Sequence, residues 1–502
     1  DLTGKTGRAR NKTDVRQKVY QSEIEADAEP GKIITLTVDE RIQFVAEREL
    51  AAAVREHNAK TGSLVVMDPS TGHILALANF PDYDPNVAPK PGEDPQNRRN
   101  LSVIAPFEPG SVFKVITVAT ALDTTRLTPA NTFHCGNGSM TLFRRVIHDA
   151  KPHGVLSVAD ILAKSSNIGA IKIAMNVGEE KLYDYIRRFG FGQVTGLPLP
   201  GESGGVVRKL SRWIPSSIGS VAMGHELSAT SVQLAQACSV VANGGFRVTP
   251  TLVMSKERPG GDVERAAPAE RVQILRPENA MKMRMMMEGV VLHGTGKAAR
   301  LDGYSSAGKT GSAQIFDYAS RSYTHRYNGS FMGFAPVTNP RIVVVVTLNG
   351  TTKFGGVVAA PVFHKVATAA LRYLDVPRDL PESINEPGSD VSIDPDLAIA
   401  DLSQPPEIDE EETGTVLLAQ AKATVPPRVF GPEPPPVQLP VALANARKTP
   451  DFTGKTKRAV LEQSSALGFR VEIAGAGIAR SQQPPPGAPL PRGERVRVTF
   501  AP

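Results

Sequence analysis

The spacing of hydrophobic residues along the chain predicts a helix and then a hairpin near the N-terminus. From Asp39, which can act as an N-cap, apolar positions three and four apart run to about His57 and predict a helix. Two stretches of strand length, residues 63–68 and 73–78, flank a Pro-Ser-Thr-Gly turn and predict a hairpin. Residues 1–35 are polar with weak alternation, which indicates short strands or an extended arm.

Helical spacing dominates the next part of the chain, to about residue 293, before strand patterns return. The predicted helices are one capped by Ser157 that leads to Ser165, two over residues 168–177 and 181–189, and one capped by Ser228 that stops at Gly244. Strands follow at residues 329–335 and 341–348, with a last helix at about 361–374. Strands at both ends of a helical middle predict an α+β fold with a mainly antiparallel sheet.

The composition narrows the class of protein. The chain has 502 residues, enough for a large core and more than one domain, and its net charge of +6 includes no long basic tract, so nucleic-acid binding has little support. The two cysteines, Cys135 and Cys238, are too few for a disulfide framework, and neither has the spacing of a metal ligand, so we expect no metal and no cofactor. The strongest apolar run, residues 342–348, has the length of a strand and not of a membrane helix.

The composition changes towards the C-terminus. Residues 376–446 are acidic and rich in proline, which predicts a linker that buries little apolar surface. Residues 447–502 follow with an amphipathic stretch and several strand patterns, which together predict a small β-α-β-β domain.

The candidate chemistry begins at Glu108-Pro-Gly-Ser111, directly before a run that favours a helix. The Pro-Gly pair interrupts the backbone, so Ser111 falls at or near a helix N-terminus, and Lys114 can lie beside its hydroxyl. A lysine kept neutral by burial could accept the serine proton and make Ser111 a nucleophile. The alternative is an ordinary buried helix whose lysine reaches the surface, because Ser-x-x-Lys alone often occurs by chance.

Two further short motifs follow. Ser165-Ser-Asn167 lies between two predicted helices, and Lys309-Thr-Gly311 opens a stretch with strand character. Triplets of these kinds recur in the chain, as Lys5-Thr-Gly7 does, so none is informative alone. Their order, on a helix start, a loop and a strand, matches the motif set of class A β-lactamases and penicillin-binding proteins.

The surrounding sequence resembles class B penicillin-binding proteins over roughly residues 30–375. Besides the Glu-Pro-Gly-Ser motif, the resemblance rests on residues 97–100, 133–138, 153–158 and 224–237. It implies a transpeptidase domain over residues 36–375 with the fold shared by penicillin-binding proteins and serine β-lactamases, in which a catalytic cleft lies between an all-helical lobe and an antiparallel sheet.

The resemblance also implies roles for the matching residues. Ser111 would be the nucleophile, Lys114 the general base, and Ser165 the group that relays the proton to the departing amine. Asn167 would contact the substrate amide, Lys309 would keep the local field positive, and Thr310 would bind the substrate carboxylate. Gly311 would leave space for the substrate backbone, and the backbone N–H groups of Ser111 and Ser312 would form an oxyanion hole. Which group is the base during acylation is disputed for such enzymes. The scattered histidines 148, 153, 225 and 325 are interpreted as structural or surface residues.

Both ends of the chain carry further resemblances. Residues 447–502 look like a PASTA domain, some members of which bind peptidoglycan fragments or β-lactams, and a plain spacer is an equal alternative. Residues 1–35 resemble the tail of the family's N-terminal pedestal or dimerisation module. We therefore expect a membrane anchor upstream of Asp1, which would place the protein on the periplasmic face of the cell membrane.

The resemblance implies an enzyme that cross-links peptidoglycan stem peptides, is inhibited covalently by β-lactam antibiotics, and works with a membrane-embedded glycosyltransferase and divisome proteins, in division or sporulation. A D,D-carboxypeptidase differs only in its acceptor and stays open. A serine β-lactamase shares the motifs, but the chain is long for one and shows no obvious deacylating glutamate motif. The intact motif residues argue against a catalytically silent penicillin receptor or wall-binding scaffold.

Overall fold

The computed structural model describes residues 2–13, 15–143, 145–258, 260–261, 263–317, 322–380, 447–467, 469–475, 477–490 and 495–501. The chain divides into two compact units, residues 1–419 and 420–502. Most of the predicted linker, residues 381–446, lies outside the described residues.

Helices and strands are numbered in chain order. The helices are α1 (Glu40–Glu56), α2 (Leu101–Ile104), α3 (Lys114–Thr124), α4 (Val158–Lys164), α5 (Asn167–Val177), α6 (Glu179–Arg188), α7 (Ser217–Ala222), α8 (Ser231–Ala242), α9 (Pro277–Leu292), α10 (Gly355–Val358), α11 (Ala360–Tyr373) and α12 (Lys457–Leu467). The strands are β1 (Arg8–Thr13), β2 (Val19–Ala26), β3 (Ile33–Leu36), β4 (Thr61–Met67), β5 (Ile74–Phe80), β6 (Thr132–Gly136), β7 (Ser139–Leu142), β8 (Arg145–His148), β9 (Gly154–Ser157), β10 (Val206–Val207), β11 (Leu227–Ser228), β12 (Phe246–Val248), β13 (Val253–Glu257), β14 (Val263–Arg265), β15 (Arg271–Gln273), β16 (Ala307–Asp317), β17 (Ser322–Ala335), β18 (Ile342–Thr351), β19 (Arg447–Lys448), β20 (Arg470–Gly475), β21 (Ile478–Gln483), β22 (Pro489–Leu490) and β23 (Arg495–Ala501).

A five-stranded antiparallel sheet in the order β16-β17-β18-β4-β5 organises the larger unit. The central strand β18 is buried at nearly every position, and its first five residues are all apolar, because both of its faces are covered. Val343 and Val345 pack into a core with helices on one side, whereas Val344 and Val346 pack with α1 and α11 on the other. The sheet thus separates two cores, and β16 forms one of its edges.

A lobe of helices covers the first face of the sheet. Its central helix, α3, is buried from Lys114 to Leu122, as expected for a helix that is apolar on almost all sides. On the opposite face, α1 begins where it was predicted to begin. The carboxylate of Asp39 accepts hydrogen bonds from the backbone N–H groups of Arg41 (2.9 Å) and Ile42 (3.4 Å) and so caps this helix.

Two predictions for the middle of the chain are wrong in detail. Ser228 lies in β11, and α8 is capped by Thr230, whose hydroxyl accepts from the N–H of Gln233 (3.3 Å) while the Gln233 side chain accepts from the N–H of Thr230 (2.9 Å). This reciprocal pair satisfies two donors of the first turn, which Ser228 is too early in the chain to reach. Short antiparallel pairs, β6 with β9 and β7 with β8, also interrupt the helical region, because strands of four or five residues leave little periodic signal.

The two ends of the chain contain the predicted strands. β1 and β2 form an antiparallel ribbon, and β3 pairs with β13. In the C-terminal unit α12 is followed by a sheet in the order β20-β23-β21, in which β20 and β23 are parallel. The observed order β19-α12-β20-β21-β22-β23 keeps the predicted sequence of strand, helix and strands, with two more strands than the predicted β-α-β-β.

None of the described helices combines the length and the apolar character that crossing a membrane would require.

Candidate active site

The sequence around Ser111 folds into a tight turn that leads into a buried helix, as predicted. Gly110 has a φ of +56°, and a Cβ at this position would lie 2.9 Å from the Cβ of Ala313 on β16, so both backbone conformation and close approach favour glycine. A 3₁₀ turn over Gly110–Phe113 leads directly into α3. Ser111 is half-buried, whereas the three residues after it are fully buried. The serine is therefore the part of this turn that a substrate can reach.

Lys114 is fully buried, so it is not a lysine that reaches the surface. Its Nζ donates to the backbone carbonyl of Ser165 (2.5 Å) and to Oδ1 of Asn167 (2.6 Å), and lies 3.3 Å from the Ser165 hydroxyl. Among the described residues its hydrogen bonds go to this corner and not to the Ser111 hydroxyl. Burial lowers the pKa of Lys114 from 10.5 to about 7, although the nearby charge of Asp149 opposes the shift.

The Ser165–Asn167 corner joins two helices, as predicted. Ser165 ends α4 with a φ of +60°, a left-handed conformation that is uncommon for serine and often marks a functional site. The hydroxyl of Ser166 accepts from the N–H of Gly169 (2.9 Å) and caps α5. Asn167 is the first residue of α5, and its amide oxygen thereby faces Lys114.

Lys309 reaches the same corner from the sheet. It is fully buried on β16, and its Nζ donates to the Ser165 hydroxyl (2.9 Å) and to the carbonyl of Thr310 (3.0 Å). Burial holds the pKa of Lys309 well below its usual range, and repulsion from Lys114 adds to the effect. The Ser165 hydroxyl therefore lies between two amines that disfavour being charged together.

The rest of the strand motif is held by neighbours on other elements. The Thr310 hydroxyl bonds to that of Thr295 (2.7 Å), and the Ser312 hydroxyl accepts from the N–H of Gly355 (2.9 Å) at the start of α10. A Cβ on Gly311 would lie 2.4 Å from the Ser330 hydroxyl and 3.0 Å from the carbonyl oxygen of Pro109. Glycine is thus favoured here by close contact with Ser330 and with the Ser111 turn, a reason that the sequence did not reveal.

Sequence reasoning missed Asp149, which follows β8 and is 7% exposed. Its carboxylate accepts hydrogen bonds from the Ser166 hydroxyl (2.6 Å), from the N–H of Asn167 and from the N–H of Ile168 (3.2 Å). The carbonyl of His148 accepts from the side-chain amide of Asn167 (2.8 Å). No local motif signals this contact, because Asp149 meets Ser166 only through the fold of the β7–β8 hairpin.

Sequence reasoning also missed a contact that supports the Ser111 turn. The carboxylate of Glu108 accepts from the N–H of Glu226 (3.0 Å) and lies 3.0 Å from Nδ1 of His225, a buried structural histidine, as predicted. Glu226 in turn pairs with Arg145 and Arg208. In the sequence, the signals for this network were the two segments that carry the family resemblance, Glu108-Pro-Gly-Ser111 and the segment that begins at Gly224.

The structure brings Lys114, Ser165, Asn167 and Lys309 into one buried hydrogen-bonded cluster beside Ser111. Cys135 and Cys238 are both free and buried. Across the ranges that the structure describes, no group of three or more His, Cys, Asp or Glu side chains is placed to hold a metal ion.

Two family models match the chain. The model of the penicillin binding protein transpeptidase domain covers residues 62–368 and contains every motif residue of the cluster, and the model of the PASTA domain covers residues 447–502.

Individual proteins show the same similarity. The chain is 35% identical over 365 residues to penicillin-binding protein PbpB of Mycolicibacterium smegmatis, which covers 70% of this chain and 56% of that protein. It is 35% identical over 355 residues to a probable peptidoglycan D,D-transpeptidase, PenA of Neisseria flavescens, over 69% of this chain and 84% of that protein. The crystal structure of penicillin binding protein 3 from Mycobacterium tuberculosis, complexed with aztreonam, matches with a TM-score of 0.66 and 31% identity over 72% of this chain and 83% of that one. The chain spans 56% of the length of PbpB and 59% of that of Stage V sporulation protein D from Bacillus subtilis.

Proposed function

The chain belongs to the penicillin-binding-protein transpeptidase family and carries a C-terminal PASTA domain, and we propose that it is a peptidoglycan D,D-transpeptidase whose Ser111 forms an acyl-enzyme with stem peptides and with β-lactams. One observation carries this proposal: a reachable serine begins a helix whose fully buried lysine, Lys114, shares a hydroxyl contact with a second buried lysine, Lys309.

In the acylation step, the Ser111 hydroxyl oxygen bonds to the carbonyl carbon of the donor peptide while its proton passes to Lys114. A neutral amine has two N–H donors and one lone pair. The two short hydrogen bonds of Lys114, to the Ser165 carbonyl and to Asn167, occupy both donors. The lone pair is then the part of Nζ that can accept a proton, and of the two nearby hydroxyls, those of Ser111 and of Ser165 (3.3 Å), we assign Ser111 as the donor in this step. A pKa of about 7 suits this task near neutral pH.

When the tetrahedral intermediate collapses, the bond to the departing amine breaks, and that amine must take up a proton. The Ser165 hydroxyl, 3.3 Å from Lys114 and 2.9 Å from Lys309, is placed to pass it on. An amine acceptor then attacks the acyl carbonyl carbon, the bond from that carbon to Ser111 Oγ breaks, and the amine loses a proton while Ser111 regains one, which gives the cross-link. Attack by water in place of the amine would be the reaction of a carboxypeptidase.

The edge strand β16 is a suitable platform for an extended substrate peptide. Alternate backbone groups of an edge strand are free to pair with an added strand, and Gly311 adds no side chain there. Thr310 suits the substrate carboxylate. The backbone N–H groups of Ser111 and Ser312 would form the oxyanion hole, in which loss of one donor typically costs about 3 kcal/mol of barrier.

Intact-mass spectrometry after incubation with benzylpenicillin tests the proposal. We expect one adduct on Ser111 that persists for hours, and none in the Ser111→Ala variant. An unmodified wild-type protein, or an adduct on another serine, would refute the assignment, and release within seconds would indicate a β-lactamase. Incubating the enzyme with a thioester donor and a D-amino acid then separates amide formation from hydrolysis.

For the cellular role, we propose action on stem peptides in division or sporulation, with a membrane-embedded glycosyltransferase and divisome proteins as partners. Penicillin-binding proteins are extracytoplasmic enzymes. The membrane anchor upstream of Asp1 and the assignment of residues 1–35 to a pedestal module both stay predictions. Residues 447–502 contain ten basic and four acidic residues, a net charge of +6. This charge supports attraction of the PASTA domain to anionic cell-wall material, and cosedimentation of residues 447–502 with purified cell wall at increasing salt would test it.

A further inference from the structure

Asp149 is a buried carboxylate directly behind the Ser165–Asn167 corner. It accepts one hydrogen bond from the Ser166 hydroxyl and two from the first backbone N–H groups of α5. The adjacent carbonyl of His148 holds the amide nitrogen of Asn167, which leaves the amide oxygen directed at Lys114. The end of the β7–β8 hairpin therefore determines how this corner is presented to the lysine.

Asp149 also matters for the charge of the site. Lys114 and Lys309 are both fully buried and both contact the Ser165 hydroxyl, and each disfavours the charged form of the other. The charge of Asp149 favours the protonated form of Lys114. Burial lowers the pKa of His153, which precedes β9; the charge of Asp149 opposes this shift and that of Lys114 adds to it.

We infer that Asp149 is the positioning residue of this site: its carboxylate fixes Ser166 and Asn167 and supplies the negative charge that balances a single proton shared by Lys114 and Lys309. The inference rests on the proposed acylation of Ser111, and it adds a residue and a proton count to that reaction.

A single shared proton gives acylation a direction. In the free enzyme one lysine is neutral and one charged, next to the Asp149 carboxylate. Transfer of the Ser111 proton to the neutral lysine places two positive charges beside one negative charge. Their repulsion favours passage of a proton through Ser165 to the departing amine, which restores the starting state of the pair.

The test compares variants of the full chain by the rate of acylation by a fluorescent penicillin between pH 5 and pH 9. In Asp149→Asn we expect the maximal rate to fall at least tenfold and the acidic limb of the profile to move to lower pH by about one unit, because a lysine without its counter-charge loses its proton more easily. Asp149→Glu keeps the negative charge but misplaces the carboxylate, so the acidic limb should lie at its wild-type pH while the maximal acylation rate stays low. His153→Gln should leave the limb in place.

Asp123→Asn is the matched control, since Asp123 is a largely buried carboxylate with its own hydrogen bonds at the far end of α3. It should leave the limb and the rate unchanged. An unshifted limb in Asp149→Asn, or an equal loss of rate in Asp123→Asn, would overturn the inference. Failure of wild-type protein to label would instead refute the proposed function.

If Asp149→Asn does not fold, the number of protons held by the two lysines can still be measured in the wild-type protein. NMR of protein labelled at lysine Cε, assigned with Lys114→Arg and Lys309→Arg, should show that the two buried amines together hold one proton at neutral pH. Two charged amines, or two neutral ones, would contradict the inference.

Discussion

Replacing Lys114 with methionine should abolish acylation and leave the protein almost as stable as before. Methionine has a similar length and fits an apolar site, but it cannot accept the Ser111 proton. Rate constants for labelling by a fluorescent penicillin should therefore fall at least a thousandfold.

The expected stability follows from two opposing effects of the same burial. At pH 7, a lysine whose pKa falls from 10.5 in the unfolded chain to about 7 in the fold destabilises the protein by about 4 kcal/mol, which methionine removes. The same substitution leaves two buried acceptors, the Ser165 carbonyl and the Asn167 amide oxygen, without their donor, at a cost of about 1–3 kcal/mol each. The two effects nearly cancel.

The pH dependence separates these effects. Between pH 7 and pH 10.5 the unfolded chain binds the Lys114 proton and the folded protein does not, so wild-type stability rises with pH by up to about 1.4 kcal/mol per unit. The destabilisation caused by burying Lys114 is fully present below pH 7 and absent above pH 10.5. The variant lacks this rise, so its stability relative to the wild type should fall steadily as pH increases.

Denaturant unfolding at several pH values, followed by the fluorescence of the single tryptophan, Trp213, measures the difference. Lys172→Met is the control, because Lys172 is half-exposed and its Nζ donates to the carbonyl of His134 (2.6 Å). Retained acylation in Lys114→Met, or parallel pH profiles of stability, would show that Lys114 is neither the base nor a strongly shifted lysine.

Three further outcomes are expected. The wild-type acylation rate should rise about tenfold per unit below pH 7 and level off above it, because Lys114 must lose its proton before it can act; a flat profile from pH 5 to pH 8 would contradict this. Gly311→Ala should slow acylation at least tenfold and lower the melting temperature, since its Cβ would press on Ser330 and on the Ser111 turn; wild-type labelling by this variant would show that the strand can shift away. Deleting residues 447–502 should leave acylation by a soluble penicillin unchanged, and a tenfold loss, about 1.4 kcal/mol of barrier, would mean that the tail supports the catalytic domain directly.

Much of the architecture could be predicted from local patterns. The N-cap at Asp39 and the helix after it, the hairpin of β4 and β5, and the turn before α3 each depend on residues close together in sequence. The valine-rich strand β18 stood out because it is apolar on both faces. The short strands β6 to β9 were not predicted, because four or five residues carry too little periodicity. The N-cap of α8 was predicted two positions too early, within a stretch rich in serine and threonine.

The motif residues of the site were also identified from sequence, by their order and by resemblance, but their arrangement was not. The Ser165 hydroxyl is 51 positions from Lys114 and 144 from Lys309, and only the packing of the helical lobe on the sheet brings the three together. Asp149 has no local motif at all. The low pKa values of the two lysines follow from the removal of water around them. Desolvation is a property of everything packed around a side chain, so residue type and spacing could nominate these lysines as catalytic, and only the tertiary structure decided that they are buried enough to act.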